Sequence, residues 1–125
     1  MKPIKYLVLI SAVFFTVLYA QSFEKNYMDC DDGNAEACYQ AAETYTSKLY
    51  KSTKQEQQKE AQKVIEFYKK SCTLGYAKGC TAYGMQYAAD TEKDSSKDDA
   101  YYFKKACEAG DETGCTMLKM MTLRQ

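Results

Sequence analysis

Residues 72–80 read Cys72-Thr73-Leu74-Gly75-Tyr76-Ala77-Lys78-Gly79-Cys80. The same frame returns as Cys30-Asp31-Asp32-Gly33-Asn34-Ala35-Glu36-Ala37-Cys38 and as Cys107-Glu108-Ala109-Gly110-Asp111-Glu112-Thr113-Gly114-Cys115. Three copies in a chain of 125 residues make an internal repeat, and a repeat sets architecture before any local signal does. The spacing also carries geometry. Eight steps along one straight helix rise about 12 Å, whereas a disulfide needs Cα atoms within about 7 Å. If each pair is bridged, the chain folds back between its two cysteines. Gly33, Gly75 and Gly110 supply the reversal, because glycine adopts the left-handed conformation that ends a helix. Each copy therefore predicts a helix, a tight turn and a second helix, stapled across the hairpin.

The second and third copies match over a longer stretch. Phe67-Tyr68-Lys69-Lys70-Ser71-Cys72 parallels Tyr102-Phe103-Lys104-Lys105-Ala106-Cys107, at an offset of 35 residues, within the range of helical-hairpin repeats. The first copy lies seven residues further from the second, a surplus assigned to the Lys/Gln/Glu-rich segment 47–63. Helical periodicity supports the hairpins: Ala61, Val64, Ile65, Tyr68 and Cys72 share one face, as do Cys38, Ala41, Ala42, Tyr45 and Leu49, and Cys80, Tyr83, Gly84 and Tyr87. Thr53-x-x-Glu56 is a capping box, and Asn34, Ser96 and Asp111 are candidate N-caps. These signals predict helices near 22–32, 35–50, 54–74, 77–89, 97–109 and 112–123, with a charged connector at 90–97. The fold class is all-α, a short α/α solenoid of helical hairpins.

Residues 1–20 carry the pattern of a secretory signal peptide: Lys2 and Lys5, then an uncharged, mostly apolar run from Leu7 to Leu18, with Ala20 before the expected cut. The run is shorter than the roughly 20 residues of a membrane span, so no stable span is expected once the signal is removed. The remaining domain, 21–125, carries a net charge near −2 against 0 for the full chain. Its basic residues are matched by acidic ones, which excludes a nucleic-acid-binding profile. Six cysteines in so small an exported domain suit disulfides in the periplasm or outside the cell. Repeat symmetry favours the pairings Cys30–Cys38, Cys72–Cys80 and Cys107–Cys115 among the many that six cysteines admit. Zinc is the rival use of the thiols. It fails because the spacing is too wide, the chain has no His, and export exposes the thiols to oxidation. No metal and no cofactor is expected.

Gly75-x-x-x-Gly79 followed by Gly84-x-x-Tyr87 resembles the Sel1-like repeat, a relative of the tetratricopeptide repeat. The added Cys-x7-Cys staple, with an aromatic pair before Lys-Lys-[Ser/Ala]-Cys, is similar to the Helicobacter cysteine-rich protein family. The resemblance runs from Cys30 to about Leu118. Around the first staple Ala42-x-x-Tyr45 stands for Gly-x-x-Tyr, and after the third Lys119 and Thr122 fill the Gly and Tyr slots, so both ends read as caps. The resemblance implies an exported, disulfide-stapled solenoid. It also implies penicillin binding, and with it a β-lactamase activity.

The residues offer little chemistry for that activity. The one Ser-x-x-Lys, Ser22 to Lys25, lies outside the repeats and lacks the partner motifs of serine β-lactamases. A general base would have to be Asp, Glu, Lys or Tyr, and the clustered acids Asp31, Asp32, Asp98, Asp99, Asp111 and Glu112 are explained by helix capping. Catalytic residues are therefore not assigned. Tyrosine is the remaining signal. At helical spacing an aromatic is usually core, yet the second helices of stacked hairpins line a groove, and tyrosine suits peptide contact there. Tyr45, Tyr83 and Tyr87, with Gln86 and Gln40 beside them, are the candidate groove residues. The expectation is a binding module for a peptide, a cell-wall (peptidoglycan-like) fragment or a protein partner. The alternative is a weak β-lactamase or penicillin-binding protein.

Overall fold

The computed structural model describes residues 3–124. Met1, Lys2 and Gln125, which belong to the predicted signal and to the end of the predicted domain, lie outside the described residues. Among the described residues six α-helices follow one another: α1 (Pro3–Asp31), α2 (Ala35–Leu49), α3 (Lys54–Thr73), α4 (Ala77–Gln86), α5 (Asp99–Glu108) and α6 (Glu112–Thr122). A single 3-10 turn, Tyr87–Ala89, extends α4. Each helix packs on its neighbours in the chain, as in a stack of α1/α2, α3/α4 and α5/α6 hairpins.

The three turns are built alike. Gly33, Gly75 and Gly110 have φ of 94°, 97° and 98°. Each glycine N–H donates to the carbonyl of the first cysteine of its pair, at 3.0 Å. The next N–H reaches one residue further back, Asn34 to Asp29, Tyr76 to Ser71 and Asp111 to Ala106. This is the paired Schellman bond pattern that closes a helix on a left-handed residue. It brings each cysteine pair to Cα–Cα distances of 4.6, 4.3 and 4.5 Å, bridged as Cys30–Cys38, Cys72–Cys80 and Cys107–Cys115. The second small slot of the frame permits this closeness. A Cβ on Gly79 would stand 2.3 Å from Ser71 Oγ, and one on Gly114 2.6 Å from Ala106 Cβ.

Hydrogen bonds join successive hairpins. The buried Ser71 hydroxyl of α3 donates to the Ala35 carbonyl at 2.7 Å, Lys70 Nζ meets Asp31 at 2.9 Å, and Thr81 of α4 donates to the Asp111 carboxylate beside α6. The main core runs through the middle hairpin: Val64, Ile65 and Tyr68 from α3, Tyr83 from α4, Tyr87 from the 3-10 turn, Tyr102 and Ala106 from α5.

Several boundaries differ from the expectation, each for a local reason. The helix placed near 22–32 is the last part of α1, which runs unbroken from Pro3 because nothing between the apolar run and Phe23 breaks it. The apolar run itself, including Leu7, Ile10, Phe14 and Leu18, is largely exposed. The seven-residue surplus is extra helix: α2 has 15 residues against 10 in α4, and α3 has 20 against 10 in α5, more than offsetting a 50–53 turn shorter than the stretch between α4 and α5. Helix α5 starts later than predicted. Asp98, not Ser96, caps it by accepting from the Tyr101 N–H at 2.8 Å, while Ser96 is engaged with Asp94. Asn34 caps α2 through the Ala37 N–H at 3.0 Å. Asp111 holds the N-cap position of α6, but its carboxylate is turned to Thr81 instead.

Candidate functional site

The predicted groove residues divide among three places. Tyr83 is fully buried and Tyr87 is 8% exposed, so neither presents a ring to solvent. Their rings meet Tyr102 of α5 at centroid distances of 4.6 and 5.3 Å. Gly84, between them on the same face, leaves the space that Phe103 fills; a Cβ there would be 2.9 Å from the Phe103 ring. The face carrying Tyr83, Gly84 and Tyr87 is thus the one that receives the next hairpin, and the expectation that these two tyrosines line a groove is corrected to core.

Their hydroxyls tie down the connector after α4. Tyr83 donates to Asp90 Oδ2 at 2.6 Å, and Lys69 Nζ lies 2.9 Å from the same oxygen. Asp90 Oδ1 accepts from the Glu92 N–H at 2.8 Å. Burial pushes the Asp90 carboxyl up, but the bonds from Tyr83, Lys69 and the Glu92 N–H outweigh it and hold the group below the usual carboxylate range. Burial, then the bond to Asp90, drives the Tyr83 phenol well above its ordinary value. Tyr87 Oη reaches the Asp94 and Lys97 carbonyls, each at 2.6 Å, and so straps the connector over the end of α4. In that connector Asp94, held by Ser96 and Lys97, is lowered to about 2.

Gln86 is exposed and does face a groove. This surface lies across the second helices, from Tyr39 and Glu43 of α2 over Met85 and Gln86 of α4 to Asp111 at the start of α6, with a volume near 400 Å³. Tyr68 of α3 lies against its floor and donates to Glu43; burial and then that bond raise its phenol well above normal. Tyr39 packs between Tyr68 and Tyr76 at 5.7 and 5.5 Å. Met85, on the lining, is 51% exposed. Tyr39, Glu43 and Met85 were not singled out from the sequence. Their signal is a stripe flanking the core stripe: Tyr39 and Glu43 are four apart on α2, as Thr81 and Met85 are on α4, each starting one residue after the second cysteine.

Tyr45 is half-buried and belongs to a third place, a notch between α1 and α2 of about 770 Å³. Its ring meets Phe23 at 5.1 Å and Phe67 at 5.5 Å.

The groove offers hydrogen-bond acceptors, hydroxyls and apolar contact. Ser22 and Lys25 lie on the exposed side of α1, where Lys25 Nζ pairs with Asp29 at 3.0 Å, and Ser71 is buried and bonded to Ala35. Nothing in this arrangement favours β-lactam hydrolysis.

Stacked helical hairpins, closed by left-handed glycines and Cys-x7-Cys staples, define a Sel1-like, disulfide-rich repeat protein. No protein-family model matches the chain and no curated protein matches it. Among solved structures it is similar to Helicobacter pylori cysteine rich protein B, at 25% identity and a TM-score of 0.60, over 77% of this chain and 68% of that one. The likeness to the Helicobacter cysteine-rich proteins read from the three staples therefore holds in three dimensions.

Proposed function

We propose that this chain is an exported binding module that holds a peptide segment of a protein partner in the groove across α2, α4 and α6. The observation that carries the reading is the groove itself: a half-exposed methionine, Met85, lines it together with Glu43, Gln86 and Asp111, across the second helices of the stacked hairpins. Methionine adapts to varied apolar partners, and the flanking groups can bond an extended backbone. Export is supported by the basic and apolar N-terminal segment and by the bridging of all six cysteines. On this reading residues 1–20 direct export to the periplasm or beyond and 21–125 are the working domain.

The test is affinity capture with the oxidised protein, compared with Met85→Glu in the groove and Lys104→Glu, an exposed α5 residue outside it. Loss of a captured protein in Met85→Glu, with an unchanged melting temperature and capture retained in Lys104→Glu, is the expected result. Equal capture by all three sinks the assignment of the groove.

A further inference from the structure

The notch between α1 and α2 is not part of the groove. Phe23 lies seven residues before Cys30 and Tyr45 seven after Cys38, so their rings meet about 10 Å along the hairpin from the staple. In the second hairpin the positions in the same register, Ile65 and Tyr87, are buried. In the first, the pair is only partly covered: Phe67 of α3 stacks on Tyr45 at 5.5 Å, both rings of the pair stay half-buried, and the cleft opens beside Tyr27 and Thr44. Its floor is aromatic and its rim is basic. Lys48 Nζ stands 4.0 Å over the Phe23 ring and 5.4 Å from the Tyr45 ring, and Lys63 Nζ reaches the Tyr45 ring at 5.4 Å. Lys51 completes the rim. Among the described residues Lys48 and Lys51 have no carboxylate partner within ion-pair distance, whereas Lys63 is 3.6 Å from Glu60. Glu24 is the one acidic group on the lining.

We propose that this notch is a second binding site and that it takes an acidic peptide segment. An apolar side chain lies on the Phe23–Tyr45 rings, and a neighbouring carboxylate meets Lys48 and Lys51. The contact of Lys48 with the Phe23 face holds its ammonium at the mouth, where an entering carboxylate displaces little ordered structure. A basic segment is disfavoured by the same two charges. The proposal rests on the reading of the chain as a module for protein segments, but it uses different residues from the groove.

The experiment is fluorescence anisotropy with the oxidised protein and a labelled peptide that alternates Asp with Phe and Leu, beside its analogue with Asn for every Asp. The acidic peptide is expected to bind about tenfold more tightly than the analogue, the worth of one charge-assisted contact. Its affinity should fall as salt is raised, because the rim is exposed to solvent. Lys48→Glu and Lys51→Glu should each remove most of that preference; both residues are exposed, and circular dichroism checks that the variants fold. Met85→Glu should leave binding unchanged. Equal affinity for the two peptides, no saturable binding, or full binding by Lys48→Glu overturns the proposal. Loss in Met85→Glu with retention in Lys48→Glu overturns it too, while leaving the groove reading intact. Lysine-dependent binding of phosphatidylglycerol vesicles, with the peptide unbound, overturns it in favour of a membrane surface.

Discussion

Tyr83, Asp90 and Lys69 form the most consequential contact in the protein, because one carboxylate anchors α3, α4 and the connector together. Asp90 is 6% exposed and keeps its charge by bonding. Tyr83→Phe removes one of those bonds from a buried group and should cost about 1–2 kcal/mol in chemical denaturation. The pH dependence has a definite sign. Asp90 titrates lower in the folded chain than in the unfolded one, so its contribution is present above about pH 4 and is lost as the pH falls through the folded value. Denaturation curves taken between about pH 6 and about pH 2 should show wild type losing stability more steeply than Asp90→Asn. Equal slopes would place the acid-sensitive group elsewhere. The same tyrosine marks a limit of sequence reading. The 3.6-residue period puts Tyr83, Gly84 and Tyr87 on one face, but it does not say whether that face meets a groove or another hairpin. Gly84 holds the answer, since a residue without a side chain between two tyrosines prepares a seat for a ring such as Phe103.

The hairpins were legible because each rests on local chemistry: a glycine that must reverse, two cysteines that must meet, and a small residue that lets them. What was not legible turns on which of several nearby partners a polar side chain takes. The choice of Asp98 over Ser96 as cap is one case, and the 3-10 turn strapped by Tyr87 is another. The small slot makes a testable difference between hairpins. In the second, an added Cβ at Gly79 meets Ser71, whose hydroxyl is already committed to Ala35. Gly79→Ala should therefore destabilise by about 1–3 kcal/mol through overpacking, although alanine is otherwise the better helix former. In the first hairpin Ala37 already fills the slot, and Ala37→Gly should cost only about 1 kcal/mol, the ordinary helix penalty. Thermal denaturation of the two variants separates these cases. A neutral Gly79→Ala would mean that α3 and α4 can move apart despite their bridge.

The groove is not the property of any one hairpin. Its walls are α2, α4 and the start of α6, and each of these helices is fixed to its partner by its own staple. Closing so short a loop stabilises by about 2–3 kcal/mol in the chain-entropy treatment. Three such bridges together approach the whole net stability of an ordinary domain, about 5–15 kcal/mol. The core between them is modest and rich in tyrosine, with hydroxyls that need their hydrogen-bond partners in place. Reduction should therefore dismantle the surface as well as the bridges. When a reductant is titrated into the protein, helical circular dichroism and capture by the groove are both expected to fall. They should fall in more than one step, because the Cys107–Cys115 bridge is only half-buried while the other two are buried and an exposed bridge is attacked first. Loss of the last staple alone frees α6, which carries one wall of the groove, so capture should weaken before most of the helix signal is gone. Capture that survives full reduction would mean that packing alone, without the bridges, holds α2, α4 and α6 in register.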